Sequence, residues 1–199
     1  MRHGQYDEVE TGSLTPLGRR QAARTALALR HLRVDVIWHS TLVRAEETAQ
    51  IVAEKHKGVR VRKSAWLSEV IPTALPSALK ITVERGRVGK DRVRADRAFR
   101  MLFRPSKAAR TELVVCHGNL IRYLVCCALG IERKLWTRLD ATHCGLTEFR
   151  VLRAPRKSGA GTLVRGGVVR VVRYNDVGHL PPRMRTESLA AHAWRKRKG

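Results

Sequence analysis

Two short segments pair a histidine with a glycine in positions where the pair could do chemistry. Arg2-His3-Gly4 opens the chain, and Cys116-His117-Gly118-Asn119 follows the apolar run Leu113-Val114-Val115. An imidazole at the carboxyl end of a strand stands at the edge of an α/β sheet where ligands bind. The glycine lets the backbone come close to a ligand, and a following helix offers free N–H groups to an anion. A histidine satisfied by the backbone is the commoner explanation for either pair alone. Two pairs, one with Arg2 beside it, point to a phosphate site. Arg44, within Ser40-Thr41-Leu42-Val43-Arg44-Ala45-Glu46-Glu47-Thr48, adds a third component in the first turn of a helix. A guanidinium grips phosphate oxygens with two parallel bonds and keeps its charge near neutral pH. Its alternative is a surface arginine paired with Glu47 or Thr48.

These residues need elements to position them, and the chain reads as alternating strands and helices. Thr15-Pro16 has the form of an N-cap with proline at the first helical position, opening a helix through about Leu32. Val34 to His39 reads as a buried strand, Leu42 to His56 as a helix closed by Gly58, and Val59 to Arg62 as a strand. Ser64 to Thr82 lacks a clean period and reads as a loop. Apolar residues at helical spacing mark Asp91 to Phe103, Leu113 to Cys116 is a dense apolar strand, and Leu120 to Leu129 is a helix ended by Gly130. Leu146 to Leu152 and Val168 to Tyr174 flank a turn containing Ser158-Gly159-Ala160-Gly161 and read as a hairpin. The fold class expected is α/β, a three-layer α/β/α sandwich with a mostly parallel central sheet. One domain over residues 1–182 is expected, with a basic tail over 183–199.

Composition narrows the classes. The 199 residues carry 40 Lys plus Arg against 17 Asp plus Glu, a net charge of +23. A chain of this length buries enough surface for a full core. No stretch of about 18 apolar residues exists, so no membrane partner is expected. No secretory signal opens the chain, and a cytoplasmic protein is the reading. The four cysteines, Cys116, Cys126, Cys127 and Cys144, fit neither a disulfide framework nor paired metal-ligand spacing. Cys116-His117 and His143-Cys144 lack a second pair at a usable spacing, so buried free thiols are expected and no metal. The charge invites a reading of another class, a nucleic-acid-binding module. That reading wants basic residues interleaved with aromatics on one face, yet aromatics make up 5% and the arginines scatter.

The Arg2-His3-Gly4 triplet, the Leu14-Thr15-Pro16-Leu17-Gly18 helix start, the S-x-x-x-R-A-x-x-T pattern from Ser40 and the late His117-Gly118-Asn119 resemble the histidine phosphatase superfamily, which includes phosphoglycerate mutases and acid phosphatases. Arg2 to Tyr6, Arg97-Ala98-Phe99-Arg100 and Cys116 to Leu129 are most similar to one branch, the phosphoglycerate-mutase-like serine/threonine phosphatases of mitochondria and their bacterial relatives. The resemblance spans about Arg2 to Pro182. It implies a phosphomonoester hydrolase working through a phosphohistidine, with a phosphoprotein as the preferred substrate. His3 would be the nucleophile. Arg2, Arg44 and His117 would surround the equatorial oxygens, with backbone N–H groups of Gly118 and Asn119 joining them. Glu69, by its place after the third strand, would protonate the leaving oxygen and later take a proton from water. No metal or cofactor is implied.

Alternatives within the family are a small-molecule phosphatase or a mutase, and beyond it an inactive binder of phosphorylated partners. A homo-oligomer is an open possibility. The pattern departs from the family at its start, because an apolar strand normally precedes the RHG triplet and here Met1 stands alone. The expectation is therefore a truncated strand, a His3 hanging from a free end, and a chain of reduced stability and weak activity.

Overall fold

The structure, a computed structural model, describes residues 1–77, 82–153, 163–164 and 167–187. Thr15 is extended, and its hydroxyl accepts the Gly18 N–H at 3.0 Å to cap α1 (Pro16–Leu29), with Pro16 in the first turn. There follow β1 (Val36–His39), α2 (Val43–Ala53), β2 (Arg60–Lys63), α3 (Arg87–Leu102), β3 (Glu112–Val115), α4 (Gly118–Leu129), β4 (Leu146–Arg153), β5 (Leu163–Val164) and β6 (Gly167–Asp176). Between β2 and α3 the described residues include a 3-10 turn, Ala65–Leu67, followed by irregular chain around Glu69. Two boundaries differ usefully from the sequence reading. α3 starts at Arg87, because its first turn is charged and shows no apolar period. α4 starts at Gly118, which makes His117 its N-cap.

β2, β1 and β3 form a parallel sheet in that order, and β4, β6 and β5 form an antiparallel one. The expected parallel sheet thus accounts for half of the strands. The late ones pair antiparallel, β6 with both β4 and β5. Residues 1–3 stitch the two sheets together. Arg2 pairs in parallel with Cys116, the Cys116 N–H donates to the Met1 carbonyl at 3.0 Å, and the His3 N–H donates to Cys116 at 3.0 Å. On the other side the Arg2 N–H donates to Gly145 at 3.3 Å, and the Cys144 N–H donates to His3 at 3.1 Å. The expectation that His3 hangs free is corrected: both its N–H and its carbonyl are bonded, to different strands' neighbours.

The period of two along the strands divides the core into two faces. Met1, Ile37, Leu113 and Val115 pack on α1 and α2 through Ala22, Ala26, Ala45, Ala49 and Val52. Trp38, Val114 and Cys116 pack on α3 and α4 through Ala95, Ala98, Leu120 and Leu124. This is the three-layer sandwich. All four cysteines are free and buried.

The boundary placed at residue 182 falls inside packed structure. The Gln21 side-chain amide donates to the Met184 carbonyl at 2.6 Å and to the Thr186 hydroxyl at 2.8 Å, so the chain is part of the fold through at least Thr186. The Ser158–Gly161 turn and the Arg195–Lys198 block lie outside the described residues.

Candidate active site

His3 sits at the carboxyl edge of the parallel sheet, 1% exposed. The turn that carries it is pressed onto α1. A Cβ on Gly18 would stand 1.8 Å from the Gln5 carbonyl oxygen, so only glycine fits at the start of that helix. The Gly4 N–H donates to the Thr48 hydroxyl at 3.1 Å, and the Gln5 N–H donates to the Gln21 side chain at 2.8 Å. The imidazole itself is fixed in one tautomer. Its Nδ1 lies 2.8 Å from the Gly4 carbonyl, which can only accept, so Nδ1 carries the proton. Nε2 then holds a lone pair, and the Arg44 Nε–H donates to it at 3.2 Å. Burial pushes the imidazole pKa well below its ordinary value, and His117, Arg2, His143 and Arg44 push it further the same way.

Around Nε2 stand the other expected groups. Arg2 is 6% exposed, and its Nη1 donates to the Ala141 carbonyl while its Nε is buried without a partner among the described residues. Burial lowers its pKa to about 10, with Glu69 acting in the opposite direction, so it remains cationic. Arg44, in the first turn of α2, stacks its guanidinium over the Tyr6 ring at 4.2 Å. His117 is fully buried, its ring centred 4.9 Å from that of His3. Its Nε2 is 2.6 Å from the Ser40 hydroxyl, and its Nδ1 is buried without a partner among the described residues. Gly118 lies against Arg2: a Cβ there would stand in ordinary contact, 3.5 Å from the Arg2 Nε. The two acidic neighbours of Arg44 are occupied elsewhere, Glu47 with Leu14 N–H and Arg19, Glu46 with Lys63.

Glu69 lies on the irregular segment beside this cluster, half-buried, its Oε1 accepting the Val70 N–H at 3.2 Å. Burial raises its pKa, with Arg2 the main opposing influence. A carboxyl group held above its usual range can keep a proton to donate. The contribution expected of Asn119 is its backbone N–H, in the first turn of α4. Its side chain is turned away from the cluster, Nδ2 donating to the Val70 carbonyl at 2.9 Å and Oδ1 accepting from Arg122. What α4 offers an anion is backbone: the first N–H groups of a helix have no carbonyl one turn earlier.

His143 is the component that sequence reasoning missed. It is 1% exposed, its ring 5.6 Å from that of His3. Its Nδ1 lies 3.0 Å from the Thr186 carbonyl and so carries the proton, leaving Nε2 buried without a partner among the described residues. Burial and then Arg2 lower its pKa to about 2. The residue follows no glycine-bearing strand end of the kind that marks His3 and His117. It arrives through the turn before β4, where Cys144 takes φ +58.

A buried neutral imidazole at a sheet edge, flanked by two arginines and a second histidine, defines a class. The family model for the histidine phosphatase superfamily, branch 1, matches residues 1–73 and 87–157, and the chain belongs to that family. It is 32% identical, over 91% of its length, to the mitochondrial serine/threonine-protein phosphatase Pgam5 of Drosophila persimilis, and spans 63% of that relative. Among solved structures, a mycobacterial hydrolase superposes with a TM-score of 0.69 at 23% identity, covering 96% of this chain and 94% of that one. A phosphoglycerate mutase of Plasmodium falciparum superposes with a TM-score of 0.59 at 27% identity, each chain covered to 91%.

Proposed function

We propose that the protein hydrolyses phosphomonoesters through a phosphohistidine at His3, and that phosphoproteins carrying phosphoserine or phosphothreonine are its preferred substrates. The tautomer carries this reading. With Nδ1–H given to Gly4, the Nε2 lone pair is the free nucleophilic pair, and a cation already stands against it. A phosphate entering there replaces Nε2 as the partner of Arg44. Nε2 attacks phosphorus, the P–O bond to the leaving group breaks, and Glu69 gives that oxygen its proton. Arg2, Arg44, His117 and the first N–H groups of α4 hold the equatorial oxygens as charge builds. Water then attacks the phosphohistidine, the N–P bond breaks, its electron pair returns to Nε2, and the Glu69 carboxylate takes the water's proton.

The substrate class rests on the relatives named as serine/threonine-protein phosphatases, of which this chain spans 63% in the Drosophila persimilis case. The segment between β2 and α3 is short, and a small cover suits a protein side chain better than the enclosed site that phosphate retention in a mutase requires. Among the described residues no helix is long and apolar enough to cross a membrane. The cytoplasmic location expected from the sequence gains no support from the name of the Drosophila relative, which carries the word mitochondrial.

Labelled substrate and a rapid quench test the mechanism. The enzyme is expected to hold label that survives alkali and is lost in acid, His3→Ala to hold none, and EDTA to leave turnover unchanged. An acid-stable phosphoserine would overturn the mechanism. Faster turnover of small phosphate metabolites than of phosphopeptides would overturn the substrate class and leave the chemistry standing.

A further inference from the structure

Glu69 occupies a stretch without helix or strand hydrogen bonds, yet proton transfer demands a fixed carboxyl. The next peptide group shows how it is held. The carbonyl of the Val70–Ile71 peptide accepts from Asn119 Nδ2 at 2.9 Å, and the N–H of that same peptide donates to Asp91 Oδ2 at 2.8 Å. One peptide plane, one residue from Glu69, is gripped at both ends by two different helices, α4 and α3. Each grip is itself fixed. Asn119 Oδ1 accepts from Arg122, whose Nη1 donates to the Leu139 carbonyl at 3.1 Å. Asp91 is 1% exposed and is paired with Arg94 and with Arg87 at 3.3 Å.

A carboxylate this buried is retained only where its bonds are satisfied, and one of those bonds goes to the acid-bearing segment. The Val70 side chain is fully buried, which closes the third direction of movement. Asn119 is also two residues from His117, so the same helix turn that carries the phosphate-side histidine holds the acid.

We infer that Asn119 and Asp91 are positioning residues for the Glu69 carboxyl group, acting through the Val70–Ile71 peptide. This rests on Glu69 being the proton donor, and the test separates the two. Alkyl phosphates need their leaving oxygen protonated and nitrophenyl phosphate hardly does, so the ratio of their kcat/KM values, which cover only the first phosphoryl transfer, reports the acid alone. Asn119→Ala keeps its backbone N–H in the cradle and removes the grip. Asp91→Leu removes the other, whereas Asp91→Asn keeps an oxygen that can accept from Ile71.

The expected result is an alkyl-to-nitrophenyl ratio lowered roughly 10-fold in Asn119→Ala and Asp91→Leu, since a displacement of about 1 Å costs up to 10²-fold. Asp91→Asn should stay near the wild-type ratio. Thermal melts select the folded variants, and either Asn119→Ala or Asp91→Leu is sufficient for the test. If both substrates slow equally, or neither does, the grip merely stabilises the loop and the inference is wrong. If Glu69→Gln itself leaves the ratio unchanged, Glu69 is not the acid, and the proposed proton donor fails instead.

Discussion

His3 and Glu69 both lie in the field of Arg2 and Arg44, yet their positions come from different kinds of bonding. His3 is held by backbone ladders on two sides, to Cys116 and from Cys144, and by a turn pressed onto α1. Such bonds follow from strand register and would form with many side chains in place. The peptide that follows Glu69 by one residue is held by side chains from other elements, Asn119 and Asp91. Opposite burial effects go with this: desolvation lowers the pKa of the histidine and raises that of the carboxyl. The contrast teaches that the His3 side of the site is a property of the sheet, while the Glu69 side depends on particular side chains and is the easier one to disturb.

Substrate choice should expose that division most strongly. His117→Ala removes a donor to the phosphoryl oxygens, and kcat is expected to fall roughly 10²–10³-fold on alkyl and nitrophenyl phosphates alike. Glu69→Gln should lower kcat/KM, which covers the first phosphoryl transfer, by roughly 10²–10⁴ on alkyl phosphates and little on nitrophenyl phosphate. As pH rises through the raised Glu69 pKa, wild-type turnover of alkyl phosphates should decline, and Glu69→Gln should lack that limb. Equal losses in both variants would dissolve the distinction.

Stability against pH sharpens it further. His3, His117 and His143 all have lowered native pKa values, so below about pH 6.5 the unfolded chain binds protons that the native state refuses. Stability they contribute is complete above about pH 6.5 and is lost as pH falls toward their native values, by about 1.4 kcal/mol per pH unit per histidine. Glu69 has the opposite sign: its raised pKa costs stability as pH rises from about 4.5 through the native value. Thermal melts should therefore show a midpoint that drops below about pH 6.5, more gently in His143→Asn. A midpoint independent of pH between 7 and 5 would show that the cluster is not held neutral.

The smallest expected effect lies on the sheet side. Gly18→Ala would place a methyl group 1.8 Å from the Gln5 carbonyl and push the Gly4–Gln5 turn off α1. A loss of about 1–3 kcal/mol is expected, with a modest fall in kcat on both substrates and an unchanged ratio between them. A changed ratio would mean that the turn also governs the acid.

Much of this arrangement was readable beforehand because it is local. Arg2, His3, Arg44, His117 and Gly118 each belong to a strand-to-helix junction, and a junction has a signature: an apolar run, a glycine or cap, then helical spacing. Thr15, Pro16 and Gly18 carry similar information about the start of α1. Where the signature is weak, reading failed by a few residues, as at Arg87, whose charged turn hides the onset of α3. For Asn119 only the backbone N–H was readable, and that its side chain reaches Val70 was not. Sequence position settles where a backbone N–H goes, while a side chain's partner depends on what the fold brings near.

By itself, the sequence determined the family, the alternation of strands and helices, and the two His-Gly junctions, because hydrophobic period, caps and short motifs act over a few residues. Only the tertiary structure decided that His143 joins His3, that Asp91 and Asn119 grip one peptide beside Glu69, and that residues 1–3 are bonded on both sides. Those contacts link residues 20 to more than 100 positions apart, as Ile71 to Asp91 and His3 to Cys116 and Cys144 show. They form only when two elements with no local interaction are packed against the same sheet, and no pattern within either one records the meeting.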